Sequence, residues 1–119
     1  MSESKNTFTV ISHFEGKNPA IRKTYDQLLK RLRPLGPIIE EPKKTSIHLV
    51  NATAFAGVAT RKDYINLTIK SDRELKSSRI HKTERVSAKR FHSEVKVASP
   101  ADIDAELLGW LKDAYTLSA

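Results

Sequence analysis

Between Ile38 and Val97 the sequence breaks into short segments in which apolar residues tend to alternate with polar ones, and the longest connection between them is the largely polar loop Ser71 to Arg79. That combination constrains the fold more than any other feature. Alternation marks strands with one buried face. Parallel neighbours need a crossover of about a dozen residues or more, and no gap here is long enough, so the strands must pair antiparallel. The predicted strands are Ile38 to Glu41, stopped by Pro42; Lys44 to Val50, with Ile47 and Leu49 on one face; Ala54 to Thr60; Tyr64 to Lys70, with Ile65, Leu67 and Ile69 inward; His81 to Val86; and Arg90 to Val97, with Phe91, Val95 and Val97 inward and His92, Glu94 and Lys96 outward. Arg61-Lys62-Asp63 and Ser87-Ala88-Lys89 read as hairpin turns.

The period changes to that of a helix on either side. Asn18 is a capping residue and Pro19 fits the first helical position, where its missing N–H costs nothing. Ile21, Tyr25, Leu28, Leu29 and Leu32 then form one apolar stripe, flanked by Arg22, Lys23, Lys30 and Arg33. Pro34, Gly36 and Pro37 end it. A final helix is predicted from Ser99 as cap and Pro100 as first residue, burying Ile103, Leu107, Trp110, Leu111 and Ala114. Thr9 to Gly16 predicts one or two helical turns capped by Thr9, with a short strand over Phe8 to Ile11 as the alternative. The expectation is a single α+β domain over residues 1–119: an antiparallel five- to six-stranded meander with an N-terminal and a C-terminal helix on one face. Residues 1–8 are expected to form a flexible polar start.

A chain of 119 residues is one domain in size, and it contains no cysteine. That excludes disulfides, thiolate metal sites and cysteine nucleophiles. No apolar run approaches the ~18 residues of a membrane span, and the polar Met1 to Asn6 carries no apolar signal region, so a cytoplasmic location and no membrane partner are expected. The net charge of +7 favours an acidic partner. Its distribution is uneven: Lys70 to Lys96 holds nine bases and four acids, whereas Ser99 onward holds one base and four acids.

Pro42-Lys43-Lys44-Thr45-Ser46-Ile47-His48-Leu49, Ala54-Phe55-Ala56-Gly57-Val58 and the closing Asp102 to Tyr115 resemble a bacterial family, the domain of unknown function 5655 family. His13-Phe14-Glu15-Gly16-Lys17 fits as well, and the resemblance covers roughly Val10 to Leu117. More distantly, the layout is similar to the MmcQ/YjbR and frataxin-like group, which implies DNA binding or iron handling. The acidic first helix that iron handling needs is absent: that helix carries Asp26 against Arg22, Lys23, Lys30, Arg31 and Arg33.

The residues offer little for catalysis. His13, His48, His81 and His92 lack the spacing of a zinc motif. Glu40-Glu41-Pro42-Lys43 resembles a nuclease acid–lysine strand, but proline interrupts it. With four glycines and no phosphate loop, no cofactor is expected. The leading expectation is a non-enzymatic binding module whose basic sheet face takes an anionic partner such as nucleic acid, through Lys43, Lys44, His48, Arg61, Lys62, Arg79, Lys82, Arg85 and His92. The alternative is a small-molecule domain with a cleft for an anionic metabolite, lined by Lys44, His48, Arg79 and His92. A third reading is an enzyme using His48 or His92 with Lys44. The chain is expected to be a monomer or a weak homodimer.

Overall fold

The computed structural model describes residues 8–119. The predicted polar start therefore lies, Phe8 apart, outside the described residues. The first element among the described residues is a 3-10 turn at Ile11–Phe14. Thr9 and Ser12 secure it reciprocally: the Ser12 N–H donates to Thr9 Oγ1 at 3.0 Å and the Thr9 N–H to Ser12 Oγ at 3.1 Å. The helical reading of this segment holds, as a single turn.

Helix α1, Pro19–Leu32, is capped by the Asn18 side chain, which accepts from the Ala20 N–H at 3.0 Å. Its predicted stripe is buried throughout, and Thr24 joins it by turning its hydroxyl back to the Ala20 carbonyl. A 3-10 turn at Arg33–Leu35 follows, and Gly36 reverses the chain at φ +142°, a backbone conformation that side chains disfavour.

Six strands follow: β1 Ile39–Pro42, β2 Ile47–Val50, β3 Ala54–Thr60, β4 Ile65–Ser71, β5 Ile80–Ser87 and β6 Arg90–Val97. They form one antiparallel sheet in the order β1-β2-β3-β4-β6-β5. The order departs from a simple meander at one point. The last hairpin inserts with β6, not β5, beside β4. Burial explains this: β6 offers Ser93, Val95 and Val97 to the core, whereas every β5 residue from His81 onward is exposed, so the apolar strand takes the inner place.

Two rows across the sheet show how register divides its faces. Ile47, Val58, Leu67, Val95 and Ile80 stand side by side on the helical side. The adjacent row, His48, Gly57, Thr68, Glu94 and Lys82, turns away from the helices. Both helices join the first face in one core that includes Leu28, Leu67, Val95, Leu107 and Leu111.

The C-terminal helix starts later than predicted. Ser99-Pro100 opens only a 3-10 turn, Pro100–Asp102, in which Asp102 Oδ2 accepts from the N–H groups of Ala98 at 2.8 Å and Ser99 at 3.3 Å. The chain leaves helical geometry at Ile103, and α2, Ala105–Leu117, starts afresh under a second cap, Asp104, whose carboxylate accepts from the Leu107 N–H at 3.0 Å. Trp110, predicted in the buried stripe, is only partly buried at its edge. Among the described residues, no helix is long and apolar enough to cross a membrane.

Candidate anion site on the open sheet face

The sheet face turned away from the helices carries short side chains at its centre. Gly57 has none, and Ala59 and Thr68 beside it are small. Taller residues border them: His48 on β2 at one side, and Lys70 and His92, which are register partners on β4 and β6, at the other. The result is a trough of about 210 Å³. Strands stand ~4.8 Å apart, so His48 and His92, separated by β3 and β4, are about 14 Å from one another. They share a face as the alternation implies, but they are too far apart to hold one metal ion. Among the described residues, no three His, Asp or Glu side chains converge as a metal site requires.

Lys70 is the charge in this trough. Its ammonium donates to Ser118 Oγ at 2.8 Å and to Thr53 Oγ1 at 3.2 Å, and no carboxylate among the described residues lies within ion-pair distance. Burial, with the nearby Arg90 guanidinium second, lowers its pKa from the ordinary lysine value. The acid nearest in the next row, Glu94, is already engaged: Asn66 Nδ2 donates to it at 2.8 Å, and the Lys82 ammonium stands 3.9 Å away. His81 Nε2 closes that network on Asn66 Oδ1 at 2.9 Å.

The nine cationic or histidine positions singled out in the sequence fall in several places. His48 and His92 border the trough. Lys43 and Lys44 lie in the β1–β2 turn, and Arg61 and Lys62 in the β3–β4 turn, at the same end of the sheet. Lys43 is held 3.6 Å from Glu41. Lys82 is on the open face beside Glu94, but Arg85 is not: its partner Phe91 belongs to the helical side, and its guanidinium lies 5.8 Å from that ring. Arg79 leaves the sheet altogether. It donates to Asp104 Oδ1 at 2.8 Å, Glu106 Oε1 at 3.3 Å and the Asp102 carbonyl at 2.7 Å, binding the β4–β5 loop to the start of α2. Burial works against the charge on Arg79, but the hydrogen bonds it donates to Asp104 and Glu106 raise its pKa on balance. A cleft shared by Lys44, His48, Arg79 and His92 is thus not formed.

The Glu40-Glu41 pair splits in the same way. Glu40 points to the helices, where Tyr25 Oη donates to it at 2.5 Å and Arg33 at 3.4 Å, while its neighbour Glu41 pairs with Lys43. In two other concavities the arginines are already paired with carboxylates of the chain. One of about 300 Å³ beside Trp110 has Arg73 set between Asp72 and Asp113, at 3.2 and 3.6 Å. One along α1 has Arg22 on Asp26 and Arg33 on Glu40. Lys70 and Gly57, which define the trough, were not among the predicted site residues. Lys70 is one more outward residue of an alternating strand, and the groups that hold it, Thr53 and Ser118, are remote in sequence.

Searches of the curated proteins and of the solved structures returned no match, and nothing in them bears on the likeness to the MmcQ/YjbR and frataxin-like group. A family model, however, matches residues 10–118, nearly the whole described chain. The chain belongs to the family described as domain of unknown function (DUF5655).

Proposed function

We propose that this chain is a binding domain that takes a compact anionic ligand, bearing phosphate or carboxylate, in the trough above Gly57. The observation that carries the reading is Lys70: a partly desolvated ammonium, held by two hydroxyls and matched by no carboxylate among the described residues, at the edge of a hollow. A desolvated cation binds an anion more strongly than a solvated one, because water screens the interaction less. His92, the register partner of Lys70, supplies a further donor on the same side, and Thr68 a hydroxyl, while His48 borders the far side.

An extended nucleic-acid face is the weaker reading. Arg79, Arg85 and Lys43 are turned away or neutralised, which leaves no continuous cationic track across the sheet. What favours it locally is the end of the sheet, where the turns carrying Lys44, Arg61 and Lys62 lie together.

Amide chemical-shift mapping with inorganic pyrophosphate and with citrate separates the two. Saturable shifts at Gly57, Thr68, Lys70 and His92 support the trough. Shifts confined to 43–46 and 61–64, reproduced by a short single-stranded DNA and abolished by moderate salt, replace it with the nucleic-acid reading.

A further inference from the structure

One edge of the sheet is β5, which pairs with β6 and with no other strand among the described residues. From His81 to Ser87 it is exposed on both faces, Val86 by 52%. An edge of this kind presents unpaired N–H and C=O groups to any strand that matches it. We propose that β5 is a homodimer seam: two copies of this chain pair antiparallel through β5, about a two-fold axis at Thr83, into one continuous sheet.

Symmetry and charge together select the register. Residues opposite one another in an antiparallel pair share a face, so a strand pairing with itself by a two-fold axis is centred on a residue. Register shifts between Ile80/Lys82 and Arg85/Ser87 confine regular pairing to the stretch between them, which leaves four centres. Centring on Lys82, Glu84 or Arg85 sets a charge against its own copy, which is destabilising. Centring on Thr83 sets threonine against threonine and places each Lys82 opposite the second copy's Glu84, twice over. Within one chain these charges are nearly free: Lys82 reaches Glu94 only at 3.9 Å, and Glu84 makes no ion pair among the described residues. The seam is independent of the ligand trough.

Sedimentation velocity over a concentration series at low salt tests the seam. The wild-type chain is expected to dimerise. Lys82→Glu and Glu84→Lys each replace two opposite-charge pairs with two like pairs, so each raises the dimer dissociation constant by roughly tenfold or more. An equimolar mixture of the two variants associates at least as tightly as wild type, because each supplies the charge that the other lacks. Melting curves establish that both variants fold; Glu84→Lys leaves the Glu94 contact untouched and is the control. A wild-type chain that stays monomeric at every concentration overturns the proposal. So do single variants that associate as wild type does, or a mixture that fails to associate.

Discussion

The Lys70 ammonium donates to the Ser118 hydroxyl at 2.8 Å, and Ser118 in turn closes the end of α2 and accepts, through its carbonyl, from the N–H groups of Ala52 and Thr53. The trough is thereby fixed to the C-terminus of the last helix and to the β2–β3 loop. The charged amine is disfavoured here, because burial and then Arg90 lower its pKa from the ordinary lysine value.

A pH prediction follows from that sign. The folded state releases the Lys70 proton before the unfolded chain does, whose value is ~10.4. Wild type should therefore gain stability relative to Lys70→Met as pH rises through the folded value toward about 10.4. Urea unfolding of both proteins at neutral and alkaline pH measures the difference; a gap that does not change with pH contradicts the assignment.

Gly36 and Tyr115 form a second coupled pair. Gly36 sits at φ +142°, and a β-carbon there would overlap the Tyr115 hydroxyl oxygen, which donates to the Pro37 carbonyl at 2.9 Å. Gly36→Ala should destabilise by about 2 kcal/mol or more, from backbone strain and overlap together. Combining it with Tyr115→Phe should cost less than the sum of the single changes, since the overlapping atom is gone. A double-mutant cycle by urea denaturation reads this; strict additivity would contradict it.

Tyr25 is buried at 1% exposure, and its hydroxyl donates to Glu40 Oε1 at 2.5 Å. Burial, then the Glu40 hydrogen bond and charge, push the phenol well above its usual range, so it stays a donor at any physiological pH. Tyr25→Phe removes a charge-assisted bond and should cost roughly 2 kcal/mol. Glu40→Gln, which still accepts, should cost less. Equal losses in denaturant unfolding would contradict this role for the carboxylate.

Asp104 joins two tasks: it caps α2 and binds Arg79. Its hydrogen bond from the Leu107 N–H, followed by that from Arg79, lowers its pKa. A depressed carboxylate stabilises above the unfolded value and loses that contribution as pH falls through the folded one. Melting temperature should thus fall on acidification more steeply in wild type than in Asp104→Asn, which keeps a capping oxygen at every pH. Parallel curves for the two proteins would contradict this role.

Much of this architecture was legible in the chain. The alternation of Ile47 with Leu49 and of Ile65, Leu67 and Ile69 assigns the buried face, and the stripe from Ile21 to Leu32 assigns α1. The strand order was less so, because hairpin signals specify which strands are joined but not which one enters the sheet. The polar run His81 to Arg85 against Phe91, Val95 and Val97 was the available clue. The start of α2 was obscured by two capping signals in succession, Ser99-Pro100 and Asp104. The site was least legible. Arg79 is withdrawn from the sheet by Asp104 and Glu106, more than twenty residues away, and Lys70 is singled out only by Thr53 and Ser118. Such long-range pairings leave no local pattern.

The most direct test of the ligand reading is a pyrophosphate binding isotherm for wild type and Gly57→Val. A β-carbon at Gly57 meets only Thr68 Cβ, at 3.9 Å, so the strand accommodates the side chain while the trough fills. Valine also suits a strand better than glycine. Wild type should bind saturably, and Gly57→Val should lose at least roughly tenfold in affinity, the scale of one lost hydrogen-bonded contact, with an unchanged or raised melting temperature. Equal affinity in the two proteins, or no saturable binding to wild type, would contradict a ligand seated above Gly57.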